Sequence, residues 1–185
     1  MMRYNLLLRS ILERALKYYP RKVIYARTLG GEKEYTYRDF YRRVCRLAQV
    51  LEGLGVKRGT RVGTFAWNHH RHLELYFAVP CFGAILHTIN IRLFPEQIAY
   101  IINHAEDEVL FVDEDLVPLI EAVADKLTTV RHYVIMADGP LPPTSLNPVH
   151  SYEDLLSSAS SETYEFPGDF DEYTPAAMCY TTATT

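Results

Sequence analysis

The sequence predicts an α/β fold in which a mainly parallel sheet is flanked by helices. Three observations predict it. The length of 185 residues suits a single domain. A content of 48% hydrophobic and 23% charged residues is typical of a chain that buries a core. Strand-length apolar runs also alternate with stretches of helical periodicity, and this alternation predicts βαβ units with right-handed crossovers.

The helices are predicted from apolar spacing and from end signals. A first helix is predicted over 3–18, where apolar residues recur at spacings of three and four. A second, over 37–54, has Thr36 as its N-cap, Asp39 in its first turn and Gly55 just past its end. Further helices are predicted at 70–82, from Pro95 to the acidic residues 106–108, at 115–124, and at 152–157 after Ser151.

The strands are predicted between these helices. The run 84–89 is continuously apolar apart from one histidine and one threonine and lies between Gly83 and Asn90, so we expect a strand that is buried on both faces. The run 61–66 reads as an alternating strand. The other predicted strands are 23–27, 109–113, 132–136 and 176–180. The pattern leaves the strand order open.

The net charge of −4 conceals a strong asymmetry along the chain. Residues 1–61 hold 15 Lys and Arg against 5 Asp and Glu, whereas 62–185 hold 4 against 18. One interpretation is a basic face that meets an anionic membrane or partner. The other, which we favour, is that the two halves neutralise each other within one interleaved sheet or across a dimer. A pI of 6.0 argues against a nucleic-acid partner.

The three cysteines are odd in number, far apart and without CxxC spacing, so neither a disulfide framework nor a zinc ribbon is predicted. We therefore expect a reducing, cytoplasmic compartment. The longest uncharged run, 75–91, contains Pro80 and Gly83, and we interpret it as a helix end followed by a strand. No integral membrane segment and no signal peptide are predicted.

A hydroxyl-rich turn follows the last predicted strand. It reads Thr181-Thr182-Ala183-Thr184-Thr185. Backbone N–H groups and threonine hydroxyls are the groups that hold phosphate oxygens, so one interpretation is a phosphate-binding loop. The alternative is a frayed chain end.

The context of this turn favours the first interpretation. In chain order the sequence has TYRD at 36–39, LGVKRGTRV at 54–62, Asn68, ELYFAVP at 74–80, GAI at 83–85, NIRL at 90–93, EQIAYII at 96–102 and MCYTT at 178–182. Together these stretches closely resemble the N-terminal part of the adenylate-forming acyl-CoA synthetases, and most of all the medium-chain to long-chain fatty-acid CoA ligases. The resemblance covers nearly the whole chain.

The resemblance implies a two-step reaction, in which a fatty acid and ATP give acyl-adenylate and pyrophosphate, and CoA then displaces AMP. The family's loop reads Tyr-Thr-Ser-Gly-Thr-Thr-Gly-x-Pro-Lys. By this resemblance the nucleotide-binding residues are Thr181, Thr182, Ala183, Thr184 and Thr185. Thr182 keeps the hydroxyl of the family's serine. Ala183 replaces a glycine, which costs about 1–2 kcal/mol if the loop needs a positive φ there.

The same resemblance sets limits on the chain. The sequence stops before Gly-x-Pro-Lys, so we expect 1–185 to be a single truncated N-terminal subdomain that is inactive in isolation. We assign it no catalytic residue and expect it to bind ATP, magnesium and CoA weakly or not at all. The alternative is a non-catalytic module for self-association or for docking on a complete ligase. In either case we expect a homodimer or another self-associated form.

Three other features carry weaker signals. The tract His69-His70-Arg71-His72 resembles a metal site but lacks HExxH spacing, and we favour packing or surface roles and predict no metal site. Asp113-Glu114-Asp115 offers paired carboxylates, although caps and helix-dipole partners are the favoured interpretation. Cys179 is a candidate reactive thiol, and a buried strand cysteine is the commoner case.

Overall fold

A computed structural model describes residues 5–181. Its helices are α1 (Leu8–Tyr18), α2 (Tyr37–Gly53), α3 (His70–Phe82), α4 (Pro95–Ala105), α5 (Val117–Glu121) and α6 (Tyr152–Ser158). Its strands are β1 (Val23–Thr28), β2 (Gly31–Thr36), β3 (Arg61–Phe65), β4 (Ile85–Thr88), β5 (Asp107–Asp113), β6 (His132–Met136), β7 (Val149–Ser151) and β8 (Ala177–Cys179). The predicted α/β class is confirmed.

The main sheet of the described chain has six parallel strands in the order β7-β6-β5-β3-β4-β8. From β3 the chain crosses through α3 to β4 on one side, and through α4 it then returns to β5 on the other side of β3. The carboxyl ends of β3 and β5 therefore flank a topological switch point, the place where open α/β sheets commonly bind ligands. Strands β1 and β2 form a separate antiparallel hairpin.

Side-chain alternation along the strands divides the core into two layers. On one face Val62, Leu86 and Val109 pack in a cluster with buried residues of α1, α2, α3 and α6. On the other face Leu110 and Val112 pack with buried residues of α4 and α5. Because successive strand residues point to opposite faces, each strand supplies both layers, which is why the central strands are apolar along their length.

The helices whose bounds were predicted most closely have clear signals at their ends in the sequence. Thr36 and Asp39 form a capping box at the start of α2, with hydrogen bonds in both directions. Gly55 has a φ of +78° and Gly83 a φ of +92°, the left-handed region in which glycine ends a helix without strain. The predicted bounds of helix 70–82 and strand 132–136 agree with α3 and β6.

Four sequence expectations need correction. Helix 3–18 begins at Leu8, and its first two predicted residues lie outside the described chain. Helix 115–124 is interrupted: two short 3-10 turns, Glu114–Leu116 and Ala124–Lys126, flank the single turn of α5. Strands β2 and β7 were not predicted. The charged residues of β2 hide its alternation, and β7 is only three residues long.

Ion pairs join the basic and acidic halves of the chain. Arg42 and Arg46 both contact Glu162, and Arg58 contacts Asp169. Further pairs link α2 to α3 and α6, as described below. The favoured interpretation, that the halves neutralise each other within the fold, is confirmed for these pairs. No helix among residues 5–181 is long and apolar enough to cross a membrane.

Candidate functional site

A cleft of about 550 Å³ lies at the carboxyl ends of β4 and β8, beside the point where the chain leaves β8. Carboxyl ends of parallel strands are the usual position of ligand sites in such sheets. The lining residues are Thr88, Asn90, Leu93, Glu96, Gln97, Tyr100, Ile101, Tyr180 and Thr181. Among these described residues Glu96 is the one with a charged side chain, so the cleft has no cation of its own.

Tyr180 is held from two sides where it enters this cleft. Its ring lies 5.3 Å from the ring of His87, centroid to centroid. Its hydroxyl lies 2.5 Å from Nδ1 of His104, a ring that stacks on Tyr100. Burial raises the pKa of Tyr180, and the nearby Asp107 raises it further, so the phenol stays protonated and can donate to His104. These contacts fix the direction in which the chain runs towards Thr181.

Beneath Tyr180, a buried His–Asp pair crosses the middle of the sheet. Nδ1 of His87 on β4 lies 2.7 Å from Oδ2 of Asp107 on β5, and both side chains are fully buried. Burial raises the pKa of Asp107, and the hydrogen bond with His87 opposes that rise. Gly63 on the intervening β3 makes the crossing possible, because a Cβ there would lie 2.9 Å from Oδ2 of Asp107.

Sequence reasoning did not single out this pair, although a signal was present. A histidine inside an apolar run of a central strand needs a polar partner, because buried polar groups are nearly always hydrogen-bonded. The partner was not identifiable, since Asp107 lies 20 residues further along the chain, at a position predicted to be a helix end. Only the register of β3 between β4 and β5 brings the two residues together.

Of the five predicted nucleotide-binding residues, Thr181 is described, and it lies exposed at the cleft. Thr182, Ala183, Thr184 and Thr185 lie outside the described residues. The structure therefore brings Thr181 to the carboxyl edge of the sheet, as a strand-to-loop junction requires. The phosphate-binding assignment of the turn remains a prediction.

The histidine tract at the start of α3 is largely occupied by hydrogen bonds. His69 is the N-cap: its Nδ1 accepts from the N–H of Arg71, so its Nε2 carries the proton and lies 2.7 Å from Oδ1 of Asp113. His72 contacts the carbonyl of Trp67 and the hydroxyl of Thr64. Among the described residues no group of three or more His, Cys, Asp or Glu side chains is arranged to hold a metal ion.

Asp113 occupies the N-cap position of the 3-10 turn Glu114–Leu116, but its side chain makes no capping hydrogen bond, so the interpretation as a cap is corrected. Glu114 and Asp115 lie in the first turn, the position expected for dipole partners. Asp113 accepts from the backbone N–H of Trp67 at 2.7 Å, and Asp115 accepts from its indole N–H at 3.0 Å. Glu114 accepts from the N–H of Asp138. Asp113 and Asp115 therefore bind the loop after β3, across the switch point, and Glu114 binds the chain just after β6.

Cys179 also differs from the favoured expectation. It is exposed, whereas a cysteine in a strand was expected to be buried. The reason is its position in β8, a three-residue strand that pairs with β4 and forms an edge of the described sheet.

A second group that the sequence did not reveal is an arginine–carboxylate network between helices. Arg43 on α2 contacts Glu74 on α3 at 2.7 Å and binds both carboxylate oxygens of Glu153 on α6 at 2.9 Å. The hydroxyl of Tyr152 donates to Glu74, and Arg71 bridges Glu153 and Asp138. Burial opposes the ionisation of Glu153, but the two arginines lower its pKa to about 2. The network therefore holds α2, α3 and α6 together. None of its residues lines the cleft beside Thr181.

Comparison with known proteins adds the family context. A family model described as "AMP-binding enzyme" matches residues 12–185. A long-chain-fatty-acid–CoA ligase from Thermus thermophilus is 45% identical over 186 residues, with 100% of this chain and 32% of that protein covered. A 3-methylmercaptopropionyl-CoA ligase from Ruegeria lacuscaerulensis is 39% identical over 189 residues, with 100% and 34% covered.

A solved structure of an anthranilate CoA ligase in complex with anthranoyl-AMP has a TM-score of 0.77 and 26% identity, with 90% of this chain and 30% of that chain covered. The strand and helix arrangement described above is therefore that of the corresponding part of a CoA ligase. The chain spans about a third of the length of the curated relatives that it matches.

Proposed function

This chain belongs to the AMP-binding enzyme family, and we propose that it is the N-terminal part of an ATP-dependent fatty-acid CoA ligase. In the complete reaction a carboxylate oxygen attacks the α-phosphorus of ATP and expels pyrophosphate. The CoA sulfur then attacks the acyl carbonyl carbon of the adenylate and expels AMP. The observation that carries the proposal is the strand-to-loop junction, where Tyr180 and Thr181 leave β8 at the carboxyl edge of the sheet.

We propose that this chain supplies a fixed platform for the nucleotide loop. Tyr180 is anchored by His87 and His104, so residue 181 starts from a defined position. Fixed N–H and hydroxyl donors stabilise phosphate charge better than mobile ones, because less reorganisation is needed when the charge develops. The nucleotide, CoA and a fatty acid are the ligands of the complete enzyme in this proposal.

The described residues do not fit a magnesium site. Among them no cluster of three or more His, Cys, Asp or Glu side chains could hold a metal ion, and the cleft beside Thr181 has Glu96 as its one charged lining residue in the described chain. Activation of the α-phosphate needs a cation, and neither Lys nor Arg is among the described residues that line this cleft. We therefore propose that the 185-residue chain alone does not catalyse adenylation.

The test is exchange of labelled pyrophosphate into ATP with octanoate and with palmitate as acids. The expected result is no exchange above a blank without protein. The matched control is the complete Thermus thermophilus ligase in the same assay. If the 185-residue chain exchanges pyrophosphate and this exchange depends on the fatty acid, the proposed inactivity of the chain is wrong.

A second prediction concerns nucleotide affinity. Thr181 and a few loop N–H groups offer a small number of contacts, so we expect a dissociation constant for ATP in the millimolar range, or about −4 kcal/mol. Ala183→Gly should not restore tight binding, because it changes one backbone position and adds no cation. Calorimetric titration with ATP and magnesium measures this. A micromolar constant for either chain shows that the prediction is wrong.

A second candidate function is a non-catalytic self-association module. It is favoured by two exposed aromatic residues of the α4 region: the N-cap residue Phe94 is 72% exposed, and Tyr100, which lines the cleft at the end of β8, is 62% exposed. An unpaired strand edge next to apolar side chains promotes pairing with another chain. We further propose a reducing, cytoplasmic setting, which the three free cysteines support.

A further inference from the structure

A cavity of about 320 Å³ lies at the carboxyl ends of β5 and β6, next to the tip of the β1–β2 hairpin. The hairpin residues 27–29, the loop between β3 and α3, and the first residues after β5 and β6 line it. It shares no described lining residue with the cleft beside Thr181. Its position at the switch point and its volume are those of a site for a small molecule of one ring.

Hydrogen bonds hold the walls of this cavity in place. Asp138 accepts from the backbone N–H of Gly30 and from Arg71, both at 2.8 Å. These two bonds join the hairpin tip and the first turn of α3 to the chain after β6. Asp113 accepts from the backbone N–H of Trp67 at 2.7 Å and so joins the β3–α3 loop to β5. The cavity is therefore formed before any ligand enters, which lowers the cost of binding.

Trp67 offers the largest aromatic surface on these walls. It is 46% exposed although it lines the cavity. Its indole N–H donates to Oδ2 of Asp115 at 3.0 Å and its backbone N–H is bound by Asp113, so the direction of the ring is fixed. The face of an indole attracts a positive charge more strongly than the face of any other aromatic side chain. A fixed and accessible indole therefore indicates a cationic ligand.

The carboxylates of the cavity favour the same sign of charge. Glu114 and Asp115 line it, and neither has an ion pair within residues 5–181. Each uses one oxygen to accept an N–H, and its other oxygen has no hydrogen-bond partner in that part of the chain. Arg71 does not balance them, because it is paired with Asp138 and with Glu153. Two acceptor oxygens with uncompensated charge thus lie beside the indole.

The other positive groups near the cavity do not reverse its potential. Arg27 belongs to the exposed face of the hairpin, where Glu32 is its cross-strand neighbour. Nδ1 of His69 accepts from the N–H of Arg71, so this imidazole adds no charge in the observed arrangement. His69 is the N-cap of α3, and Asp113 lies 2.7 Å from its Nε2, where a carboxylate offsets the positive end of the helix dipole.

We propose that this cavity binds a small primary ammonium ion that carries one aromatic ring. The ammonium group lies against the indole of Trp67 and donates to Glu114 and Asp115, and the ring packs against Leu29. An anion is a poorer occupant because the two carboxylates repel it. A neutral aromatic molecule is poorer because it leaves their charge uncompensated. The site is separate from the adenylation cleft and does not depend on the proposed function.

The experiment uses the fluorescence of Trp67, which is the one tryptophan of the sequence and therefore reports on this cavity directly. The full chain is titrated at pH 7 with phenethylammonium chloride. Phenethyl alcohol and hydrocinnamate carry the same phenylethyl group, with no charge and with the opposite charge, and are the comparison ligands. We expect a saturable change in emission with phenethylammonium, binding of the alcohol about fivefold weaker, and no saturable change with hydrocinnamate.

Variants then assign the contacts, with calorimetry as the measurement because some of them remove the fluorophore. Asp115→Asn should weaken phenethylammonium binding about fivefold, since it removes one charge and keeps an oxygen that can accept from the indole. Trp67→Leu should abolish saturable binding, whereas Trp67→Phe keeps an aromatic face and should weaken it about threefold. Glu165→Gln, an exposed carboxylate that does not line the cavity, is the control and should bind like the parent chain.

Three results overturn the proposal. One is the absence of a saturable change in Trp67 emission with phenethylammonium. Another is binding of hydrocinnamate or phenethyl alcohol as tight as that of the ammonium ion. The third is phenethylammonium binding that is unchanged in Asp115→Asn, a variant of an exposed residue that keeps the test decisive if a Trp67 variant does not fold. None of these outcomes bears on pyrophosphate exchange, so this site and the proposed function fail or succeed separately.

Discussion

Single residues decide how the sheet and the candidate site fit together. Gly63 is the clearest case, because its missing side chain leaves room for the hydrogen bond that joins His87 to Asp107 above β3. That pair supports Tyr180, whose backbone leads into Thr181. A glycine in the middle of a central strand normally weakens a sheet, and here the close approach of two buried polar groups explains it.

We expect Gly63→Ala to destabilise the chain by about 2 kcal/mol. The added Cβ would lie 2.8 Å from Cδ1 of Leu110 and 2.9 Å from Oδ2 of Asp107, and overpacking of a core costs about 1–3 kcal/mol. Urea unfolding followed by circular dichroism measures the difference.

The matched control is Gly53→Ala in the last turn of α2. A Cβ at this position meets no atom of the described chain within 4 Å, and alanine favours helix, so stability should stay equal or rise by about 0.5 kcal/mol. If Gly63→Ala unfolds at the same urea concentration as the parent chain, the proposed crowding is wrong.

At the scale of elements, helices α2, α3 and α6 are joined by the network centred on Arg43 and Glu153. Glu153 receives the bidentate contact of Arg43 and a hydrogen bond from Arg71. A partly buried bidentate arginine–carboxylate pair is among the stronger ion pairs, although solvent access reduces its worth. The network therefore connects the N-terminal half of the chain to α6 more than it adds to total stability.

This network predicts a pH dependence. The folded pKa of Glu153 is lowered from 4.5 to about 2, so its stabilising effect is complete above pH 4.5 and is lost as the pH falls through about 2. Asp39 and Asp138 also have lowered pKa values, so the whole chain loses stability in acid. Between pH 4.5 and 2 the stability of Glu153→Gln should fall less steeply than that of the parent chain. At pH 7 the variant should be less stable than the parent chain by about 1 kcal/mol.

Urea unfolding at several pH values between 7 and 2.5 measures how steeply the free energy of unfolding falls with pH. Glu165→Gln, an exposed carboxylate without an ion pair among residues 5–181, is the control and should follow the parent chain. If the stability of Glu153→Gln falls with pH as steeply as that of the parent chain, the two arginines do not lower the pKa of Glu153.

At the scale of the whole molecule, exposed apolar side chains and the asymmetric charge both favour self-association. Phe94, Tyr100 and Tyr173 are more than 60% exposed. The face of α1 adds Arg14 and Lys17, exposed cations that have no ion pair within the described chain. Exposed ion pairs contribute at most about 1 kcal/mol each, so the apolar area must supply most of the affinity.

We expect a dimer at tens of micromolar chain in low salt by light scattering, loosened only in part by 0.5 M salt because screening acts on the charges alone. Phe94→Ser should weaken it, since it removes the aromatic ring and leaves a residue suited to the N-cap position. A monomer in low salt refutes the association.

The role of α1 is tested by reversing charge, because deletion of this helix would remove the buried Leu12. Arg14→Glu together with Lys17→Glu should weaken the dimer in low salt and have little effect in high salt. A dimer of unchanged stability in this double variant would show that α1 does not contact the partner.

The fold was largely predictable because its signals are local. Apolar periodicity, the Thr36–Asp39 cap and the glycines after α2 and α3 act over a few residues, and they placed the bounds of these helices closely. The resemblance in ordered motifs predicted the family, and the family match over residues 12–185 confirms it. Thr181 directly follows a predicted strand, and the structure accordingly has it at the carboxyl edge of the sheet.

The tertiary structure alone decided which distant residues meet. Strand order places β3 between β4 and β5, and this register brings His87 to Asp107 over Gly63. Helix packing brings Arg43 to Glu153, 110 residues away. The hairpin lies against α3, and both ring nitrogens of His70 are buried beneath β1 with no hydrogen-bond partner among residues 5–181. Such contacts depend on how elements cross and pack, and the local periodicity of a single chain holds no information about that arrangement.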